Sequence, residues 1–167
     1  MNLKNPLSWI SLGFGSGLSP IAPGTIGSFF ALIIYAFFFD SLLTSWMNHL
    51  VFLLFIAGSF LIGVYIYPRT VEEENDPGSF VWDEFVGMWV ACLPLSFIGS
   101  SLFWLCIAFF LFRLFDIWKP LGIKSFDAKH GAFYVMIDDV LAGFYASILV
   151  IFLSIFSSIT SVSYTHL

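Results

Sequence analysis

Five carboxylates interrupt otherwise apolar runs in this chain: Asp83 and Glu84 in VWDEFVGMW, Asp116 in FRLFDIWKP, and Asp138 and Asp139 in VMIDDVLAG. A carboxylate at membrane depth is expensive to place and points to a site. One such acid alone reads equally well as a helix cap or as a side chain reaching for the interface. Three groups on one face favour a shared centre. Only Arg113 and Lys119 stand near them in sequence, so the five negative charges would repel one another without further cations. An all-oxygen ligand set selects a hard divalent ion such as Mg²⁺ over zinc. Arg113, Asp116 and Lys119 recur at i, i+3 and i+6. That order suits an anion held beside a metal, although a salt-bridge ladder with membrane anchoring would use the same spacing.

Residues 13–27, GFGSGLSPIAPGTIG, hold five of the 13 glycines and two of the seven prolines. This composition predicts a structured loop or re-entrant segment rather than a helix. It lacks the Walker lysine and is no P-loop. Its backbone N–H groups around Gly17 and Gly24, with the hydroxyls of Ser16, Ser19 and Thr25, could still cradle an anion. A turn that returns the chain to the membrane is the alternative. His130, before Gly131, is expected to be an interfacial histidine, with a general acid as the other reading. Cys106 and Arg113 miss the C-x₅-R spacing of cysteine phosphatases, and neither a DxDx[TV] motif nor paired histidines of the vanadium-phosphatase kind occur. Metal-assisted attack by water is the chemistry that survives.

The elements that must position these residues follow from composition. Of 167 residues, 59% are hydrophobic and 10% charged, which excludes an ordinary water-soluble domain. Mean hydropathy is +0.95. The predicted fold is all-α: a polytopic membrane bundle of about five transmembrane helices behind a Gly/Pro-rich N-terminal loop. The spans fall at about Ile26–Met47, His49–Tyr67 (bounded by Pro68), Phe80–Leu95, Ser101–Ile117 and Val135–Ile159. Lys4, Arg69, Arg113, Lys119, Lys124 and Lys129 then share one side, the cytoplasmic one by the positive-inside rule, and every acid cluster lies there too. Small residues one turn beyond the acids, Gly87 after Asp83, Ala142 after Asp138 and Gly143 after Asp139, would let the third and fifth spans approach closely. Cys92 and Cys106 read as small buried hydrophobes. Residues 1–161 form a single domain, while residues 162–167, in the closing SVSYTHL, resemble a non-native tail. No removable signal peptide and no nucleic-acid partner are expected.

Taken in order, GFGSGLSPIAPGTIGS, VWDEFVGMW, FRLFDIWKP and MIDDVLAG resemble the phosphatidylglycerophosphatase A family, from about Ser8 to Gly143. The resemblance implies a bacterial inner-membrane, Mg²⁺-dependent phosphatase acting on the lipid phosphatidylglycerophosphate to give phosphatidylglycerol. In that setting Asp83, Glu84, Asp138 and Asp139 are expected to hold Mg²⁺, and Asp116 to be a further ligand or the base for the attacking water. Arg113, Lys119 and the loop residues Ser16, Gly17, Ser19, Gly24 and Thr25 would carry the phosphate charge. A small membrane cation transporter is the alternative, since acids on membrane helices also line ion pathways.

Overall fold

A computed structural model describes residues 3–71, 77–120, 122 and 131–164, and among these there are helices and turns but no strand. A short helix α1 (Pro6–Ser11), with the Asn5 side chain accepting from the Leu7 N–H at its start, leads into a 3₁₀ segment, Gly13–Leu18. Helix α2 (Pro23–Ile34) continues through a π turn, Tyr35–Phe39, and a 3₁₀ turn, Asp40–Leu42. Then follow α3 (Trp46–Thr70), α4 (Trp82–Cys92), the single turn α5 (Leu95–Ile98), α6 (Leu102–Trp118) and α7 (Ala132–Tyr164). Ser45 and Ser101 cap α3 and α6 through their side-chain oxygens, as helix starts require.

Three stretches are long and apolar enough to cross a bilayer: Pro23–Leu42, Trp46–Thr70 and Ala132–Ile159. Of the about five spans expected, these three meet that length and apolarity among the described residues. Helix α6, at 17 residues, falls just short of that length, and α4, at 11 residues, covers only about 16 Å. Helix α4 lies at the centre of the bundle. Every residue from Trp82 to Cys92 except Glu84 is buried, as expected of a helix apolar on all sides. Its neighbours hold it through backbone carbonyls: Trp82 Nε1 donates to Ser59 O at 3.0 Å, Trp89 Nε1 to Ala31 O at 3.1 Å, and Ser147 Oγ to Val90 O at 2.6 Å. Without water to compete, such bonds fix helix against helix.

Three further expectations need revising. Helix α3 runs through Pro68 to Thr70 instead of stopping before it. A proline this close to the end forfeits one backbone bond, and Thr70 Oγ1, bonded to Ile66 O at 2.9 Å and to Ser11 Oγ at 2.8 Å, secures the last turn. The segment 13–27 is also more helical than its composition suggests, because Pro23 at the first position of α2 supplies a φ already suited to a helix. Cys92 is buried as expected, but Cys106 is exposed on the outer face of α6. The suspected tail begins within α7, which continues to Tyr164, and residues 165–167 lie outside the described residues.

The N-terminal glycines form a mould for the start of α4. A Cβ on Gly13 would strike the Phe85 ring, one on Gly17 the Ser79 carbonyl, and one on Gly27 would come within 2.9 Å of Val81 Cβ. The Val81 N–H donates to Ser11 O at 2.9 Å and closes the same seam. Between α4 and α7 the contact is backbone to backbone: a Cβ on Gly87 would lie 2.6 Å from Asp139 O, and one on Gly143 would collide with Gly87 O. Gly143→Val should therefore destabilise the protein by about 1–3 kcal/mol or more, whereas Gly58→Ala, with nothing within 4 Å of the new Cβ, should be neutral or slightly stabilising. Thermal melting of both variants in detergent checks this; equal midpoints would mean that the helices do not meet at Gly143.

Candidate active site

Asp83 and Glu84 open α4, and Asp139 lies two turns into α7. The glycine contact one turn below draws these positions together, and one carboxylate oxygen from each of the three falls within 4.8 Å of the others. Asp83 and Asp139 are buried and Glu84 is half-buried. Asp83 Oδ1 accepts from the Glu84 N–H at 3.0 Å. Glu84 Oε2 and Asp139 Oδ2 are buried without a hydrogen-bond partner. Buried carboxylate oxygens that have lost water and gained nothing are costly, and a hard cation among them removes that cost. An oxygen-only donor set of this size fits a divalent ion such as Mg²⁺ or Mn²⁺ better than zinc.

Asp138 stands apart from this triad. Its Oδ2 accepts from Lys119 Nζ at 2.7 Å and its Oδ1 from the Asp139 N–H at 3.1 Å. Successive helix positions point about 100° apart, so Asp139 takes the α4 side of α7 while Asp138 takes the side of α6. Lys119 reaches it from the end of α6, where it adopts a left-handed backbone (φ 49°, ψ 56°). The expected metal ligand Asp138 and the expected phosphate ligand Lys119 are thus bonded to each other beside the triad.

Arg113 and Asp116 form the second wall. Arg113 Nη1 lies 2.7 Å from Asp116 Oδ2 and donates to Ser28 Oγ at 3.1 Å, while Ser28 Oγ donates to Gly24 O at 2.7 Å. Arg113 Nε is buried without a partner. Asp116 lies within Coulombic reach of Glu84 and Asp139. Gly24, in the first turn of α2, touches both walls: a Cβ there would run into the Glu84 carboxylate and come within 3.4 Å of Arg113 Nη2. Of the expected phosphate loop, Gly24 is therefore at the centre and Thr25 adjoins it. Ser16 and Ser19 spend their hydroxyls on Gly13 O at 2.8 Å and Ile21 O at 2.9 Å, and Gly17 is packed on Ser79. Sequence reasoning missed Ser28. Its place four residues after Gly24, on the same helix face, was the available signal. His130, Lys124 and Lys129 lie outside the described residues.

A glycine-marked first turn, an Asp-Glu pair, an Arg-x-x-Asp and an Asp-Asp follow one another along the chain, and a profile of the phosphatidylglycerophosphatase A family matches residues 9–154, which include all of them. The chain belongs to that family. The phosphatidylglycerophosphatase A match takes in every acid discussed above. Two relatives bear that name. One from Haemophilus influenzae is 42% identical over 153 residues, covering 90% of each chain, and one from Escherichia coli is 38% identical over 146 residues, covering 86% of this chain and 80% of the relative. A third, from Bacteroides thetaiotaomicron, provisionally named a phosphatidylinositol-3-phosphatase, is 39% identical over 147 residues, covering 84% of this chain and 89% of the relative. No solved structure matches the chain.

The geometry sorts the acids by what they should do to metal affinity. Asp83→Asn, Glu84→Gln and Asp139→Asn should each weaken Mn²⁺ binding on the order of tenfold or more, and Asp138→Asn should have a distinctly smaller effect. Titration of Mn²⁺ followed by electron paramagnetic resonance measures all four. An Asp138 variant as impaired as the other three would place that side chain among the ligands.

Proposed function

We propose that this chain hydrolyses the terminal phosphate of phosphatidylglycerophosphate, giving phosphatidylglycerol and inorganic phosphate, in the inner membrane of a bacterium with its acid-bearing end facing the cytoplasm. The observation that carries the reading is the convergence of Asp83, Glu84 and Asp139 beside Arg113 in a phosphatidylglycerophosphatase A family member. The orientation is supported by Arg69, Arg113 and Lys119, which end α3 and α6 on the acid-bearing side. By contrast, Asp40–Ser100 and His49–Ser96 hydrogen bonds tie the opposite end. The cation-transporter alternative is not favoured by the family.

Asp83, Glu84 and Asp139 would hold Mg²⁺, which when bound supplies Lewis-acid polarisation of the phosphoryl oxygens. The chain does the rest by positioning. Arg113, already braced by Asp116 and Ser28, presents its unpartnered Nε and its Nη2 to the phosphate with little reorganisation. The first turn of α2 offers backbone N–H groups at Gly24 and Thr25, where the helix dipole favours an anion. The missing side chain at Gly24 lets the Glu84 carboxylate lie against the first turn of α2, beside Arg113. Asp116 takes the proton of the attacking water. The water oxygen forms the new P–O bond as the bond from phosphorus to the glycerol oxygen breaks, and that oxygen then receives the proton held by Asp116. Lys119 acts at one remove, fixing Asp138 and through it the Asp139 backbone. The acyl chains stay in the bilayer.

Phosphate release from phosphatidylglycerophosphate in vesicles tests the proposal, with phosphatidylinositol 3-phosphate run in parallel because one relative is named for it. Release should be selective for the first lipid, cease in EDTA and return with Mg²⁺. Arg113→Ala should lower kcat on the order of a hundredfold or more, as removal of a main transition-state donor does. Undiminished release in chelator would exclude the metal-dependent reading, and preference for the inositol lipid would reassign the substrate.

A further inference from the structure

The segment ahead of the first crossing helix has two unlike faces. Inward, Ser8, Ser11, Leu12, Gly13 and Gly17 are buried against α3 and the start of α4. Outward, Leu3, Trp9, Phe14, Leu18 and Ile21 are exposed, Ile21 to 78%. Neither α1 nor Gly13–Leu18, six residues each, approaches the length needed to cross a bilayer. A row of large apolar side chains on such a segment calls for an apolar neighbour.

The position of the segment identifies that neighbour. The crossing stretch Pro23–Leu42 starts two residues after Ile21, and its own side chains Ile26, Phe29 and Phe30 are exposed as well. The segment therefore lies where a bilayer surface must be. Trp9 is placed as an interfacial tryptophan, its ring half exposed and its Nε1 donating to Leu3 O at 3.2 Å, with the exposed Lys4 at the same end.

Phe14 links this face to the site. It sits between two positive-φ glycines and itself has φ 58°, ψ 29°, a left-handed conformation that a bulky side chain adopts only when its surroundings impose it. The turn leaves the Phe14 ring 57% exposed, yet sets its edge against Trp82 at 6.2 Å and Phe85 at 6.4 Å, the two residues flanking Asp83 and Glu84.

We propose that residues 3–22 lie in the headgroup–acyl boundary of the leaflet at the acid-bearing end, and that Phe14 seats the start of α4 at a fixed depth relative to that lipid surface. The seating role rests on the reading of the acid cluster as a lipid-phosphatase site; the location does not. Nitroxide labels at Leu18→Cys and Ile21→Cys, in a Cys106→Ala background with Cys92 left buried, test the location in phosphatidylethanolamine–phosphatidylglycerol vesicles. Both labels should be more accessible to oxygen than to a water-soluble nickel chelate, at a shallower depth than a Phe29→Cys reference in α2. Greater access to the chelate would overturn the proposal, as would protection from both reagents, which would mean that a protein or a second copy covers the face. For the seating role, Phe14→Asn keeps a residue that tolerates the left-handed turn and removes the ring. Turnover of vesicle-borne phosphatidylglycerophosphate should fall about tenfold with Mn²⁺ affinity retained, as a small misplacement of the reacting groups would cause. Unchanged turnover would refute the seating role. A wild-type protein without turnover would instead refute the phosphatase reading and leave the labelling result standing.

Discussion

Two buried carboxylates and a half-buried one share a space in which their nearest oxygens are at most 4.8 Å apart. Two unit charges at that separation repel by roughly 3–4 kcal/mol for an effective dielectric constant of 20. No single hydrogen bond of ordinary strength offsets three such pairs, so the arrangement needs a rigid support and a way to shed charge, and the cluster is one that could hold a metal ion. The rest of the bundle can be understood as that support. Helix α4, which carries two of the acids, is gripped on every side, and α7, which carries the third, meets it through glycines that allow backbone contact.

The support is made of materials suited to a membrane. Between helices the apolar effect is weak because lipid tails are as apolar as the side chains, so close fit and buried hydrogen bonds must hold the parts. Indole N–H groups of Trp82 and Trp89 and the Ser147 hydroxyl all end on backbone carbonyls of neighbouring helices, or on α4 itself. Glycines 13, 17 and 27 serve the same end by a different route. Each removes a side chain where the N-terminal segment closes over residues 79–85. The segment looked like a ligand loop because glycines at a mould and glycines at an anion nest give the same composition. Gly24 differs from these three in facing both a carboxylate and a guanidinium.

The charges divide into one group that is mutually satisfied and one that is left open. Lys119 with Asp138 and Arg113 with Asp116 are ion pairs at 2.7 Å, and each braces a neighbour: Asp139 through its backbone in the first case, Ser28 and the first turn of α2 in the second. The open group is Glu84 Oε2, Asp139 Oδ2 and Arg113 Nε, buried atoms with no partner. A site that binds a cation and a phosphate together needs this combination of unspent negative and positive groups on a fixed frame.

Much of this was legible without coordinates. A chain with 59% hydrophobic residues and 10% charged ones must be helical in a membrane, because only helices or closed barrels satisfy their backbone there and the long apolar runs exclude alternating strands. The acids stood out because charge is so rare in such runs, and the small residues one turn beyond Asp83 and Asp139 announced a close crossing that Gly87 and Gly143 make. What sequence could not decide was direction around a helix and depth within the bundle. Asp138 and Asp139 are indistinguishable as letters, yet one residue step of about 100° sends the first to Lys119 and the second to the acid triad. Helix α4 was likewise indistinguishable from a spanning helix, because burial among other helices and burial in lipid select the same apolar residues. The sequence by itself determined which chemical groups the membrane had to accommodate; the tertiary structure decided which of them faced one another, since that depends on helix rotation and contact distance.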